Sequence, residues 1–148
     1  EGFRTTVFRQ TLFAEFEKKS HDMYKNGVTL TAQSLSDAYN ELISTYYEGA
    51  EIPEIMAYEW SYIPHFYDAF YVYQYATGFC SAVNIAKHIL ETGDTKGYLK
   101  FLTLGGSDYP IEELKVAGVD LTKPDAIAVA MKVFDDTVTE LEQLIDEL

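Results

Sequence analysis

Residues 69–86 run for 18 positions without a charged side chain, and no other feature limits the folds open to this chain as strongly. The run is long enough to cross a bilayer. Its contents argue against that, because Tyr71, Tyr73, Gln74, Tyr75, Thr77, Gly78, Ser81 and Asn84 bring polar groups that an isolated span cannot satisfy. With its neighbours it reads as one helix over residues 65–92, stopped at Gly93, whose first turns carry a single charge, Asp68. A helix apolar on every face must be buried all round. The expectation is therefore an all-α fold, a single domain over residues 1–148 around a central, largely buried aromatic helix.

The rest of the chain is punctuated for helices too. Phe3, Val7, Phe8, Leu12, Phe16 and Met23, with Arg4, Arg9, Glu17 and Lys18 between them, predict a first helix over residues 3–25, ended by Asn26-Gly27. A second starts after Thr29 or Thr31, with Leu35, Tyr39, Leu42, Ile43 and Tyr46 on one face before Gly49. Residues 48–64 read as irregular, with Pro53 and Pro64 as breaks. A short helix over residues 94–104 leads to Gly105-Gly106, another enters at Pro110, and Gly118 makes a turn. Thr122-Lys123-Pro124-Asp125 then opens an amphipathic helix that runs to the end.

Composition narrows the function. Hydrophobic residues make up 47% of the 148, and 12 Tyr with 9 Phe are far more core material than a disordered segment holds. A formal net charge of −13 repels phosphate backbones and anionic lipid, so neither nucleic acid nor a membrane is an expected partner. The single cysteine, Cys80, excludes an internal disulfide framework and suits the cytoplasm. It lies in the apolar run Gly78-Phe79-Cys80-Ser81-Ala82-Val83 and reads as a core residue rather than a nucleophile. The first residue is Glu1, which suggests that the chain begins inside a longer protein.

No metal site can be assembled from these residues. His21, His65 and His88 are far apart, and His21-Asp22-Met23-Tyr24-Lys25 lacks the glutamate and second histidine of HExxH. His21 and His88 read as surface residues, while His65, directly after Pro64, fits a site or a structural cap equally. At about 100° per residue, Tyr67, Tyr71, Tyr75 and Gly78 share one side of the long helix, Phe66, Phe70, Tyr73 and Thr77 a second, and His65, Ala69, Val72 and Ala76 a third. Residue pattern alone leaves two readings open: core packing, or phenols facing a wet cleft. A phenol with a pKa near 10 is still a donor at pH 7, and one well-placed donor to a developing oxyanion contributes roughly 3 kcal/mol.

Three blocks are similar to the oligoendopeptidase F family of zinc metallopeptidases. They are Arg4-Thr5-Thr6-Val7-Phe8-Arg9-Gln10-Thr11-Leu12-Phe13-Ala14-Glu15-Phe16-Glu17, then Ile63-Pro64-His65-Phe66-Tyr67-Asp68-Ala69-Phe70-Tyr71-Val72-Tyr73-Gln74-Tyr75-Ala76-Thr77-Gly78, and Leu114-Lys115-Val116-Ala117-Gly118-Val119-Asp120-Leu121. The resemblance implies the C-terminal part of a larger helical metallopeptidase fold, with oligopeptides as substrates. It implies zinc bound in the full-length enzyme, by an HExxH motif upstream of Glu1, and none bound by this chain alone. In such enzymes histidine and tyrosine side chains of a later helix stabilise the tetrahedral intermediate and hold the substrate backbone. Carried onto the middle block, His65 and Tyr73 are the expected catalytic groups and Tyr67 and Tyr71 the substrate-binding ones. The isolated chain should be inactive, with the upstream part of the same protein as its partner. The rival readings are a non-catalytic helical module that binds a peptide or protein, and a fragment that buries its apolar helix against copies of itself.

Overall fold

The computed structural model describes residues 1–147, and the chain is all-helical as expected, with no strand among the described residues. The first helix opens with six residues of wide π-type winding, Phe3–Phe8, and continues as α1, Arg9–Lys25. It ends where Asn26 and the left-handed Gly27 close it. α2 spans Ala32–Tyr46 and is capped reciprocally: Thr31 Oγ1 accepts from the Ser34 amide at 3.1 Å, and Ser34 Oγ from the Thr31 amide at 2.9 Å. After Pro53 come two tight 3-10 segments, Glu54–Tyr62 and Pro64–Tyr67, then α3, Tyr73–Thr92. α4 (Lys96–Leu102), α5 (Pro110–Val116) and α6 (Asp125–Asp146) complete the order. Among the described residues no helix is long and apolar enough to cross a membrane.

The helix expected over residues 65–92 is interrupted. Helical winding stops after Tyr67, the backbone turns, and α3 begins only at Tyr73. Nor is α3 buried all round, since Cys80, Ser81 and Ile85 are its buried residues and Tyr73 is 52% exposed. Residues 48–64 also differ from expectation, because Glu54–Tyr62 is wound at three residues per turn, a period that a search for 3.6-residue repeats does not register.

Two compact units divide the chain, Glu1–Ala76 and the remainder from Thr77. In the first, Leu12, Phe13 and Phe16 of α1 meet Ala38, Tyr39 and Ile43 of α2, with Ile63 and Val72 closing the core. Phe16 sets its ring edge-on to Tyr39 at 5.0 Å and tilts against Phe66 at 5.4 Å. Glu59, buried in the first 3-10 segment, is paired with Arg9 and accepts the Tyr39 hydroxyl at 2.6 Å. The second unit has its own core of Ile85, Ala117, Val119 and Ala126. There Asn84 Nδ2 donates to the carbonyls of Cys80 (2.8 Å) and Ala126 (2.7 Å), tying α3 to α6. A Cβ on Gly97 would lie 2.9 Å from the Val116 carbonyl oxygen, so the approach of α4 to α5 requires glycine there.

Burial first, and the bond to Glu59 second, push the Tyr39 phenol well above its ordinary range. Such a group stabilises the fold fully below about pH 10, where the unfolded phenol begins to ionise, and loses that contribution as pH rises further. Tyr39→Phe is expected to cost about 1–3 kcal/mol at neutral pH, by leaving a buried carboxylate short of a donor. It should also flatten the decline in stability above about pH 10. Urea unfolding across that pH range checks both outcomes.

Candidate functional site

Residues 63–76 carry all four of the side chains that sequence singled out. Successive residues of a 3-10 turn point about 120° apart. In Pro64–Tyr67 this drives Phe66 into the core, edge-on to Phe13 at 5.9 Å, and leaves Tyr67 90% exposed. Val72 re-enters the core fully buried just before α3. Between these anchors residues 68–71 form a turn in which the Tyr71 amide donates to the Asp68 carbonyl at 3.1 Å. Phe70 holds the third position with φ +59°, alone among the described non-glycine residues in having positive φ. Glycine or asparagine normally fills such a place, and another side chain there costs about 1–2 kcal/mol.

The turn brings His65 and Tyr71 together. Their rings stack 5.5 Å apart and within 3° of parallel. Tyr75, from the first turn of α3, stands edge-on to both, at 5.9 Å from His65 and 5.5 Å from Tyr71, and its hydroxyl donates to the Tyr71 hydroxyl oxygen at 3.2 Å. That bond, followed by burial, holds the Tyr75 phenol above its ordinary range. Tyr73 is the first residue of α3; two helical positions from Tyr75, it leaves the helix about 200° away. Tyr67 projects into solvent beyond the ring cluster. The structure thus joins His65 and Tyr71 and adds Tyr75, while Tyr73 is half exposed and Tyr67 almost fully so.

Tyr75 was not among the candidate site residues, although its spacing of four from Tyr71 was the available signal. The sequence pattern groups Glu17 with the polar residues of the first helix. Glu17 is in fact 4% exposed, and its Oε1 accepts the Phe70 amide at 2.5 Å. Its position directly after Phe16 on the apolar side of α1 could have flagged it. His21 lies nearby, its Nδ1 2.7 Å from the Glu17 carbonyl oxygen and its ring 4.7 Å from that of Phe70.

Among the described residues no three His, Cys, Asp or Glu side chains are placed to hold a metal ion. The described residues therefore do not by themselves make up a zinc site. Cys80 is buried and burial pushes its thiol up, which suits a packing role rather than a reactive one.

The model of Peptidase family M3 matches residues 1–133. The chain is 46% identical to "Oligopeptidase PepF" of Bacillus subtilis over 148 residues, covering 98% of this chain and 22% of that protein. It is 44% identical to an "Oligoendopeptidase F homolog" of Lactococcus lactis over 151 residues, covering 99% and 25%. Among solved structures it is similar to the crystal structure of oligoendopeptidase-F from Enterococcus faecium, with a TM-score of 0.96 and 48% identity over 99% of this chain and 29% of that one. The chain spans about a quarter of the length of these curated relatives.

Removing the acceptor of the Tyr75 bond should release its phenol. In Tyr71→Phe, the pH midpoint of Tyr75, followed by tyrosine ring-carbon NMR, is expected to fall back toward the ordinary phenol range near pH 10. An unchanged midpoint would show that the Tyr71 hydroxyl is not what raises it.

Proposed function

The chain belongs to peptidase family M3, and from that premise we propose that it forms the C-terminal part of a zinc-dependent metalloendopeptidase that hydrolyses oligopeptides. Its contribution is to bind the substrate and stabilise the oxyanion, while the zinc motif lies upstream. Because its own side chains do not fit a metal, zinc would be held by the part of the longer protein that it does not cover. There a metal would act as Lewis acid on the scissile carbonyl. The cytoplasm is the proposed compartment, since the one cysteine is buried and free.

The observation that carries this reading is the His65, Tyr71 and Tyr75 cluster. The Tyr75 hydroxyl donates a hydrogen bond to the Tyr71 oxygen, which leaves the Tyr71 hydroxyl able to donate to a substrate in turn. Each donated bond polarises the next hydroxyl and strengthens it as a donor. Tyr71, and Tyr67 beside the turn, are proposed to hold the substrate backbone. His65 and Tyr73 are proposed as the groups that donate to the oxyanion as the tetrahedral intermediate forms. Such stabilisation is effective to the extent that the donors are in place before substrate arrives.

In the full-length enzyme, Tyr73→Phe is expected to lower kcat by about 100-fold with KM changed less than about 3-fold, the pattern for a bond made only in the transition state. Equal rates would make Tyr73 a packing residue. The isolated chain is expected neither to cleave a fluorogenic oligopeptide nor to bind zinc stoichiometrically, and turnover by it would overturn the division of labour proposed.

A further inference from the structure

The stacked pair depends on a broken helix. In unbroken α-helix, His65 and Tyr71 would lie about 120° apart around the axis and about 9 Å apart along it, on different faces and too far apart for their rings to stack. They meet because residues 68–71 turn back, and the turn keeps Phe70 in a left-handed conformation. Phe66 and Val72 fix the two flanks in the core, but the turn lies outside it, with Phe70 49% exposed. The buried core does not extend to the backbone at its strained point.

What reaches that point is a buried carboxylate. Glu17 lies 53 residues earlier, on α1, and its Oε1 accepts the Phe70 amide. A carboxylate removed from water is costly unless hydrogen-bonded, and a charge-assisted bond of this kind is about twice as strong as a neutral one. Strained backbone persists only where its surroundings over-determine it. His21 of the same helix adds a ring contact to the Phe70 side chain, so α1 grips the residue by its amide and by its ring.

We propose that Glu17 is a positioning residue for the histidine–tyrosine site: by holding the Phe70 amide it fixes the turn that stacks Tyr71 on His65. This rests on the peptidase reading of the site, and the two are separable by experiment. In the full-length enzyme, Glu17→Ala removes the acceptor, while Glu17→Gln keeps an oxygen in its place. Hydrogen exchange reports the hold on the turn, and kcat and KM on a fluorogenic oligopeptide report its consequence.

In Glu17→Ala, exchange of the Phe70 amide is expected to rise about 10-fold, with α2 still protected, because only the local hold is lost. Its kcat should fall about 10- to 100-fold with KM within about 3-fold, as for reacting groups displaced by an ångström or less. Glu17→Gln should retain both properties within about 3-fold, since the amide oxygen still accepts. Unchanged Phe70 exchange in Glu17→Ala overturns the proposal, as does faster exchange with undiminished kcat. Should Glu17→Ala fail to fold, Glu17→Asp replaces it: the shorter side chain keeps the charge but draws the oxygen back from the Phe70 amide, and it must reproduce the rise in exchange and the fall in kcat. If the parent enzyme cleaves no peptide, the peptidase reading fails, and the exchange comparison alone decides whether Glu17 holds the turn.

Discussion

A carboxylate taken out of water must be met by a cation or by donors, and Glu59 is met by both. Arg9 of α1 pairs with it, and Tyr39 of α2 donates to its second oxygen. Glu59 itself sits in the 3-10 segment Glu54–Tyr62. Three elements distant in sequence therefore share one charge, and none can move without leaving a buried ion short of a partner, a loss far larger than that of a surface ion pair. The apolar contacts of Phe16, Tyr39 and Trp60 close over the same region. Hydrophobic burial supplies most of the driving force, whereas the ion and its donors fix the register in which that burial occurs.

Such long-range pairing separates what could be read from the sequence from what could not. Helix ends were legible because their causes are local: Asn26-Gly27, the Thr31 cap, Gly93 and Pro110 act within a few residues of themselves. The break in the aromatic helix was not. Residues 65–92 contain no proline and offer only apolar or polar side chains of good helical spacing, so local pattern favours one helix. The turn is imposed by Glu17 from 53 positions away, and periodicity carries no information about that distance. For the same reason the sequence does not set Glu17 and Arg9 apart from the other charged residues of the first helix, although each has its partner inside the first unit.

The candidate site was legible to the same depth. His65 and Tyr71 were singled out by residue chemistry and by resemblance, and they do meet. Helical geometry assigned them to different faces, so their meeting could be reached only by abandoning the helix. Tyr75 followed the opposite course. It shared a face with Tyr71 in the helical reading and still touches it, because tight turns lead into α3, with the Gln74 amide bonded to the Tyr71 carbonyl and the Tyr75 amide to that of Val72.

The break also explains why the strained residue lies where it does. A regular helix places every side chain on a fixed spiral, so two residues six apart can share a ligand only if the backbone between them departs from that spiral. The departure needs a reversal within a few residues, which in turn favours a left-handed position, and here Phe70 occupies it in place of glycine. Glycine would remove the local strain, but it would widen the range of turns the segment can adopt and remove the ring that His21 contacts. A bulky residue held by a buried carboxylate is the more rigid solution. Under the proposed role that rigidity matters, because donors that must reorganise during a reaction lose much of what they stabilise.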